Sequence, residues 1–549
     1  MKSEVIRING LPALSVDGCP IPEIAYITYC TDNNRYEDFA SVGTKLYSVN
    51  LNFSEAAISA RVPVLVFQKG IFENETPDFS IVDKNFGQIL EVCPDAYIFP
   101  RVNVNLSEKW EKEHPDELCD TSHTGQRRVS FASDLWAQEV KKNLKALIEY
   151  IEQSPYADRV IGYQIAGGDT EEWFPLDGYG SFGKRAKEKF LLHCAENKIE
   201  ANEEAYYDFA TDMVADRVCE FANFAKELLN RQKVIGAFYG YTMGGVNRSS
   251  CHHAMGKILR CEDIDFLCSP ISYLENRAPG TDLYPMVMTD SVKLHGKLYF
   301  SENDIRTHLT HPVSDHPNYT RPVWYGPAKR ESTEQIKLGF CRAFIHGYGM
   351  WWFDMWGGWY DDPDYMDIIS KMVELCSEGT DKPVSQIALI IDEKSYIRLD
   401  CNQDIVRKVC NAIGLCSAPY DAYLASDFEK ICSKYKAFIF VEPSETELLT
   451  RCIRQAELEG KAFKIYTGKD TEITAEQLRC FFKEAGILFA TDKNAVVHNG
   501  EKYFSVYTAE RGLYDFGTQD KKTFTDLFTG EKFTFPAELE ERKCYLFRR

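Results

Sequence analysis

The sequence predicts an α/β protein with a (β/α)8 TIM barrel, a flavodoxin-like α/β domain and a small C-terminal antiparallel β-domain. Eight short apolar segments alternate with longer helical segments over the first 380 residues, and eight strands close such a barrel. A second alternation of strands and helices follows, and Asn-Gly and Thr-Gly turns then separate short β-prone segments. At 549 residues the chain is also too long for one hydrophobic core. We therefore place the domains at 1–380, 381–491 and 492–549, the last of them β-sandwich-like.

Eight predicted strands support the barrel. They are residues 23–29, 45–51, 96–103, 160–166, 234–242, 266–273, 297–303 and 349–356. Amphipathic helices lie between them, and Ser133 can cap one whose apolar residues from Trp136 to Ile151 share a face. An apolar run at 62–67 could be a further strand, which would shift the numbering of the later strands by one. The alternative fold is an open doubly wound sheet, which usually has fewer strands in one domain.

The second and third domains are predicted from shorter patterns. Residues 386–392, 437–441 and 462–466 read as buried strands, with helices at 404–413 and 444–459. No Gly-rich phosphate loop accompanies them, so we expect no bound nucleotide. The C-terminal domain is predicted from four β-prone segments, residues 496–498, 503–507, 524–528 and 533–535.

The composition narrows the possible partners and compartments. A net charge of −20 and a pI near 5.1 argue against nucleic acid or an anionic membrane surface, since both select a basic face. No run reaches the ~18 apolar residues of a transmembrane helix, and the first residues lack the apolar region of a signal peptide. The 18 cysteines are scattered singly, which is typical of reduced thiols. We therefore expect a cytoplasmic protein.

The histidines do not indicate a metal site. His252 and His253 are adjacent, and His308 and His311 lie close together, but no carboxylate stands at ligand spacing on a shared helix. We expect no catalytic metal and no other cofactor.

Residues 160–177 carry the first candidate catalytic groups. An apolar strand ends at Gly167-Gly168, and Glu171, Glu172 and Trp173 follow shortly after. Glutamate can donate or accept a proton, and an aromatic ring packs against the C–H face of a sugar. Taken alone, this stretch could equally be a solvated acidic loop after a core strand.

A further glutamate stands at the end of another predicted strand. Glu302 follows the apolar residues of segment 297–303, and barrel glycosidases take their catalytic carboxyls from the carboxyl ends of different strands. The sequence thus predicts Glu302 and one of Glu171 and Glu172 as the catalytic pair. The alternative for Glu302 is a structural ion pair with Arg306, although an arginine beside a nucleophilic carboxylate would also keep it ionised.

Other polar and aromatic side chains near predicted strand ends are candidates for sugar binding. The third, fifth and sixth strands contribute an arginine, an asparagine and two tyrosines, for which a buried ion pair or core packing is the alternative. Indoles cluster where Gly357-Gly358 turns the chain after the eighth strand, and at least one of Trp352, Trp356 and Trp359 should stack on a sugar. The predicted substrate-binding residues are Arg101, Asn103, Trp173, Tyr241, Tyr273, Arg306, Trp352 and Trp356.

With these strands and domains, the chain resembles glycoside hydrolase family 42, the β-galactosidase-like enzymes of the barrel clan with glutamates on strands four and seven. The segment Ile161-Gly-Tyr-Gln-Ile165 matches the fourth strand, and Leu298-Tyr-Phe-Ser-Glu302 matches the seventh. In architecture the resemblance covers nearly the whole chain. It implies that the fourth strand supplies the acid/base and the seventh the nucleophile. It also implies a homotrimer assembled partly through the flavodoxin-like domain.

One motif departs from the family pattern. The clan has Asn-Glu directly at the end of strand four, with the Asn on the sugar 2-hydroxyl. Here the segment reads Ala166-Gly-Gly-Asp-Thr-Glu-Glu-Trp173, with no Asn before either glutamate. We expect Glu171 to be the acid/base because Thr170 gives it a small polar neighbour, with Glu172 as the alternative.

Together these features predict a hydrolase, specifically a retaining exo-β-glycosidase of the β-galactosidase type. Its substrate would be an oligosaccharide or glycoside, cleaved by double displacement with two glutamates. The alternatives are a β-mannosidase or another β-glycosidase on the same scaffold, and an inverting enzyme if the delayed glutamates lie farther from Glu302. A sugar-binding barrel without turnover is the alternative from another class, and the absent Asn favours it.

Overall fold

A computed structural model describes residues 1–55, 69–120, 127–243, 247–273, 277–310, 326–516 and 522–549. The apolar run at 62–67 and His311 lie outside these described residues. Within them, no helix is both long enough and apolar enough to cross a membrane.

The N-terminal residues form an antiparallel sheet that the sequence pattern did not indicate. β1 (Ser3–Ile8) pairs with β2 (Leu11–Val16), and β3 (Cys19–Pro20) adds a short third strand. The Ser3 hydroxyl accepts a hydrogen bond of 3.1 Å from the amide of Val234, where a barrel strand begins. This sheet therefore lies at the N-terminal ends of the barrel strands, opposite the mouth.

The next strands form one closed parallel barrel. In chain order they are β4 (Ile24–Thr28), β5 (Leu46–Asn52), β6 (Tyr97–Ile98), β7 (Arg101–Asn103), β8 (Gly162–Ala166), β9 (Val234–Phe238), β10 (Phe266–Pro270), β11 (Leu298–Asn303) and β12 (Gly349–Phe353). β12 pairs with β4, which closes the barrel. β6 and β7 together form the third barrel strand, separated by Pro100, which has no amide hydrogen to donate. Each predicted segment overlaps an observed strand, so the barrel prediction is confirmed, with β8 fourth and β11 seventh.

The barrel strands are covered on both faces. Every residue of β4, β5 and β8 is buried, which explains why such strands appear in the sequence as nearly continuous apolar runs. The polar residues within them are exceptions that need buried partners. Asn50 and Asn52 in β5 are two of these exceptions.

Helices surround the barrel. They are α1 (Tyr36–Ser41), α2 (Ser80–Val92), α3 (Glu108–Glu113), α4 (Asp134–Gln153), α5 (Lys184–Asn197), α6 (Glu203–Leu228), α7 (Met255–Arg260), α8 (Thr289–Leu294), α9 (Lys329–His346) and α10 (Pro363–Ser377). The Ser133 hydroxyl accepts a hydrogen bond of 2.9 Å from the Trp136 amide at the start of α4, as predicted. The predicted apolar face of α4 is buried, including Val140, Leu144 and Leu147.

A four-stranded parallel sheet follows the barrel. Its strands are β13 (Ile387–Ile391), β14 (Tyr420–Leu424), β15 (Ala437–Glu442) and β16 (Ala462–Thr467), in the order β14-β13-β15-β16. Helices α11 (Asp404–Gly414), α12 (Phe428–Ile431), α13 (Glu447–Leu458) and α14 (Ala475–Glu484) complete this part. β14 was not predicted, because Asp421 interrupts its apolar pattern. That carboxylate is buried and accepts a hydrogen bond of 2.8 Å from Ser385.

β14 is an edge strand whose outer side faces the barrel. The amide of Ala422 donates to Asp290 at 2.8 Å, and the amide of Leu424 donates to the Ser291 hydroxyl at 2.9 Å. Asp290 and Ser291 belong to α8, a barrel helix. Side chains of the barrel therefore supply the hydrogen-bond partners that a fifth strand would otherwise give.

The C-terminal residues form short antiparallel pairs. The strands are β17 (Ala495–Asn499), β18 (Tyr503–Thr508), β19 (Gly512–Tyr514), β20 (Lys522–Thr525), β21 (Lys532–Phe535), β22 (Ala537–Leu539) and β23 (Cys544–Arg548). The predicted strand at 524–528 is too long at its end, because the Asp526 carboxylate accepts the Thr529 amide and starts a turn. The predicted fold class is confirmed, while the exact residues at which the three domains divide remain a prediction.

Candidate active site

Glu302 lies near the carboxyl end of β11, the seventh barrel strand. Its carboxylate is buried, at 2% exposure, and faces two groups. The Trp351 indole donates to Glu302 Oε2 at 3.3 Å, and an Arg101 terminal nitrogen lies 3.7 Å from the same oxygen. Burial raises the pKa of Glu302, and the Arg101 guanidinium opposes that shift. The site thus holds a desolvated carboxylate beside one cation.

The turn after β8 carries the other two glutamates in an unusual backbone conformation. Thr170, Glu171 and Trp173 all have positive φ, at 56°, 63° and 62°. L-residues with side chains adopt this region at a cost, above all a β-branched threonine. Gly168, at +74°, is required here because a Cβ would lie 2.6 Å from the Phe174 carbonyl oxygen. Such strain at a strand end is typical of functional sites.

Glu171 points into the barrel and is fully buried. Asn50 donates to its Oε2 at 2.7 Å and Asn103 to its Oε1 at 3.0 Å, while Arg101 Nε lies 3.4 Å from Oε2. Burial raises the pKa of this carboxyl, and Arg101, Asn103 and Asn50 each oppose the shift. The Glu171 carboxylate is therefore held by donors on both oxygens.

Glu172 has a different environment. It is partly exposed, and the Tyr241 hydroxyl donates to its Oε1 at 2.8 Å while the Thr170 hydroxyl donates to Oε2 at 2.5 Å. Burial raises the pKa of Glu172 to about 7, with the Thr170 and Tyr241 hydrogen bonds and Arg101 acting in the opposite direction. A carboxyl with such a pKa can donate a proton near neutral pH.

Arg101 contacts two of the three carboxyls, Glu171 and Glu302, and its charge also acts to lower the pKa of Glu172. It begins β7 and lies opposite Asn50 in the register of β5 and β7. Its guanidinium lies 4.9 Å from the ring centre of Phe238 and 5.9 Å from that of Tyr29. The alternative of a buried ion pair for Arg101 is correct, and that ion pair lies within the candidate site itself.

Some side chains that complete the cluster were not predicted from the sequence. Asn50, Tyr29 and Trp351 lie in or directly after buried strands, where they resemble ordinary core residues. Asn50 carried the clearest signal, because an amide inside an otherwise apolar strand needs a buried partner.

Three predicted site residues require correction. Trp173 is fully buried, donates to the Ile165 carbonyl at 3.1 Å and packs against Phe131, so it cannot stack on a sugar. Trp352 is also fully buried, so it is not available to stack on a sugar. Adjacent residues of β12 face opposite ways, and it is Trp351 that points toward Glu302.

Arg306 is the third correction. It was expected beside Glu302, but its guanidinium contacts the Asp304 carboxylate at 2.5 Å and lies over the Trp359 ring at 5.1 Å. Trp359 is buried as well. The cation near Glu302 is Arg101 instead, so the alternative of a Glu302–Arg306 ion pair is also wrong.

The remaining predicted residues lie around the cluster. Tyr241 and Asn103 bond Glu172 and Glu171 directly. Tyr273 is partly exposed, stacks under Arg277 at 4.1 Å, and has its pKa raised by burial and by nearby carboxylates, Glu172 among them. Trp356 lies 6.2 Å from Tyr29, which places it near the same mouth.

The described histidines among those considered as metal ligands instead contact tyrosine side chains. His252 stacks on Tyr239 at 4.3 Å, and burial lowers its pKa to about 3, so it is neutral. His253 stacks on Tyr396, and burial likewise lowers its pKa to about 4. His308 bonds the Tyr365 hydroxyl.

A different group could hold a metal by its geometry. Asp290 of α8, His346 of α9 and Asp421 of β14 offer ligand atoms within 4.8 Å of one another, and none of the three lies on a barrel strand. The Lys293 ammonium already lies 2.8 Å from Asp290 and supplies a positive charge there. This group does not contribute to the candidate site.

No protein-family model matches the chain, and no curated protein matches it. Solved structures do. A cold-adapted β-galactosidase from Rahnella sp. R3 superposes with a TM-score of 0.65 at 11% identity, covering 100% of both chains. Gan42B, a GH42 β-galactosidase from G. stearothermophilus, gives 0.63 at 11% identity with the same coverage. A GH42 exo-carrageenase from Bacteroides ovatus gives 0.55 at 12%, covering 100% of this chain and 86% of that one. The chain thus has a GH42-like glycoside hydrolase barrel fold.

Proposed function

We propose that this protein is a retaining exo-β-glycosidase. The observation that carries the proposal is the buried cluster in which Glu172 and Glu302, from the fourth and seventh strand ends, share the environment of Arg101. Paired carboxyls in unlike surroundings are what glycoside hydrolysis needs, one to attack and one to donate a proton. The likeness of the fold to GH42 enzymes supports the same reaction class.

In the proposed mechanism, Glu302 is the nucleophile. Its carboxylate attacks the anomeric carbon and forms a covalent glycosyl-enzyme. Arg101 and the Trp351 indole stabilise the ionised form of that carboxyl against the effect of burial and orient it. Glu172 protonates the departing glycosidic oxygen, then removes a proton from the water that releases the sugar.

Glu172 replaces Glu171 in the acid/base role that the sequence favoured. Glu172 is partly exposed, whereas the oxygens of Glu171 are occupied by Asn50, Asn103 and Arg101. A proton donor must reach the leaving oxygen, so accessibility decides between them. The partners of both Glu171 oxygens also oppose protonation of that carboxyl.

A panel of nitrophenyl glycosides tests the proposed activity. Because the similar solved structures are named β-galactosidases, we expect the β-galactoside to be cleaved fastest, with β-mannoside and β-glucoside as the alternatives. The configuration of the first product, read by NMR, should be retained. Binding of sugars without hydrolysis of any member would contradict the enzyme and favour a sugar-binding barrel, and an inverted product would indicate direct displacement by water.

The pH profile offers a test of the acid. The Tyr241 hydroxyl stabilises ionised Glu172, so Tyr241→Phe should raise the pKa of Glu172 from about 7. The protonated acid then persists to higher pH, and the alkaline limb of kcat/KM should move upward. Tyr239→Phe is the matched control, since that hydroxyl bonds backbone groups near residues 251 and 254. An unmoved limb in Tyr241→Phe would remove Glu172 as the group that sets it.

We also propose a homotrimer in the cytoplasm. The support for assembly is the resemblance of the whole architecture, and light scattering should give three times the 62.9 kDa chain mass. A monomer at micromolar concentration would contradict this state. The structure records no disulfide among the 18 cysteines, all of which lie in its described ranges, and cysteines without disulfides are typical of a reducing compartment.

A further inference from the structure

Of the three glutamates at the mouth, Glu171 has no chemical step in the proposed mechanism. Its carboxyl is nevertheless fully buried, with Asn50 Nδ2 at 2.7 Å, Asn103 Nδ2 at 3.0 Å and Arg101 Nε at 3.4 Å. Burying a charged group is costly unless it is paired and hydrogen-bonded. Such an environment, built from two barrel strands and the turn after a third, indicates a role for the charge.

We propose that Glu171 is a positioning residue with two effects. It anchors the turn that carries Glu172, and it shares the Arg101 guanidinium with Glu302, which weakens the interaction of Arg101 with Glu302. Glu172 is the acid only within the proposed function, so this inference rests on that function. It assigns a separate task to each member of an adjacent pair of glutamates that the sequence could not tell apart.

The backbone of the turn supports the anchoring role. Positive φ at Thr170, Glu171 and Trp173 persists only where the surroundings hold these residues in place. Trp173 is held on one side by its buried ring and its bond to the Ile165 carbonyl. Glu171 is held on the other side by the hydrogen bonds from Asn50 and Asn103 and by the ion pair with Arg101. Glu172 lies between the two anchors and accepts from the Tyr241 hydroxyl. Releasing one anchor would let the turn relax and misplace the acid.

The electrostatics support the second part. Arg101 nitrogens lie 3.4 Å from Glu171 Oε2 and 3.7 Å from Glu302 Oε2, so one guanidinium serves two carboxylates. Without the Glu171 charge, Arg101 acts on Glu302 alone, and a like charge is also removed. Both changes stabilise ionised Glu302, which lowers its pKa. The acid limb of the pH profile should then move to lower pH.

Glu171→Gln in the complete enzyme tests both parts. Glutamine keeps the size of the side chain but places an amide NH2 where one carboxyl oxygen stood. This NH2 faces the N–H groups of Asn50 or Arg101, so the contacts that anchor the turn are lost. We expect kcat on poor leaving groups to fall roughly 10- to 100-fold, with a smaller loss on a dinitrophenyl glycoside and with KM unchanged within about twofold. Azide should not restore activity, because Glu172 still occupies its place. The acid limb should shift downward in pH.

Controls separate this role from a purely structural one. Asp282→Asn removes another buried carboxylate, which pairs with Arg342 of α9 and accepts from Tyr420 of β14, and should lower stability without these kinetic changes. Kinetics of folded Glu171→Gln equal to wild type would overturn the inference. So would azide rescue of Glu171→Ala together with no rescue of Glu172→Ala, since Glu171 would then be the acid. If Glu171→Gln does not fold, Asn103→Ala removes one donor and must give the same pattern more weakly.

A readout without turnover keeps the two proposals distinguishable. If wild type cleaves no glycoside, the proposed function fails. The proposal that Glu171 and Glu302 share Arg101 can then be tested without turnover. The infrared band of the protonated Glu302 carboxyl, assigned by its absence in Glu302→Gln, is followed as the pH is raised. That band should disappear at lower pH in Glu171→Gln than in wild type, and an equal or higher pH would overturn the inference.

Discussion

Replacing Glu302 with glutamine should lower kcat by about 10⁴-fold or more while the protein remains folded. The substitution keeps the size of the side chain but replaces the nucleophilic carboxylate with a neutral amide, which does not form the ester bond to the sugar. Because Glu302 is buried with a raised pKa, the loss of its charge should cost little stability. Activity is measured with the best nitrophenyl glycoside, and folding by circular dichroism and thermal unfolding.

Glu23→Gln is the matched control for this experiment. Glu23 is a buried glutamate at 8% exposure before β4, at the opposite end of the barrel, and burial raises its pKa to about 7. It should retain wild-type turnover. A 2-deoxy-2-fluoro glycoside should label wild type on the peptide that contains Glu302. Turnover of Glu302→Gln within tenfold of wild type would exclude Glu302 from the covalent step.

Replacing Glu172 with alanine should give the second largest loss, which depends on the leaving group. Without the acid, substrates with poor leaving groups should lose roughly 10²- to 10⁴-fold in kcat/KM, whereas a dinitrophenyl glycoside should lose far less. Azide can enter the space vacated by Glu172 and attack the glycosyl-enzyme. The rate with the activated substrate should therefore recover, with a glycosyl azide of retained configuration as the product.

The adjacent residue provides the comparison for Glu172→Ala. Glu171→Ala should lose activity without azide rescue, since the acid is still present. Rescue of Glu171→Ala alone would return the acid/base role to Glu171, as the sequence first suggested. An azide product of inverted configuration with either variant would mean that no covalent intermediate forms at that stage.

The fold was largely predictable because its signal is local. Strands buried on both faces, such as β4 and β11, produce apolar runs that stand out in the sequence. β14 escaped notice because Asp421 breaks its apolar run, and that carboxylate is satisfied by Ser385 and by Tyr435 from elsewhere in the fold. The N-terminal sheet was not predicted because β1 is only partly buried and mixes charged with apolar residues, and because Pro12 interrupts β2.

The site was predictable only in part because its contacts are long-range. Glu302 stood out as a carboxylate at the end of an apolar strand. The Asn50–Glu171 hydrogen bond, however, joins residues 121 positions apart, and no local pattern connects them. The choice between Glu171 and Glu172 depends on which way each side chain leaves a turn with positive φ, and sequence spacing does not determine that direction. The same limit explains why Trp352 was predicted as a site residue and Trp351 was not, since these adjacent indoles face opposite sides of β12.

The way α8 covers β14 has a consequence for dissecting the protein into fragments. An uncovered edge strand presents free amides and carbonyls that recruit other strands, a common route to aggregation. Here the amides of Ala422 and Leu424 are occupied by Asp290 and Ser291, which belong to the barrel. A fragment that contains the second sheet without α8 would expose that edge. The barrel thus prevents the edge of the following sheet from pairing with strands of other chains.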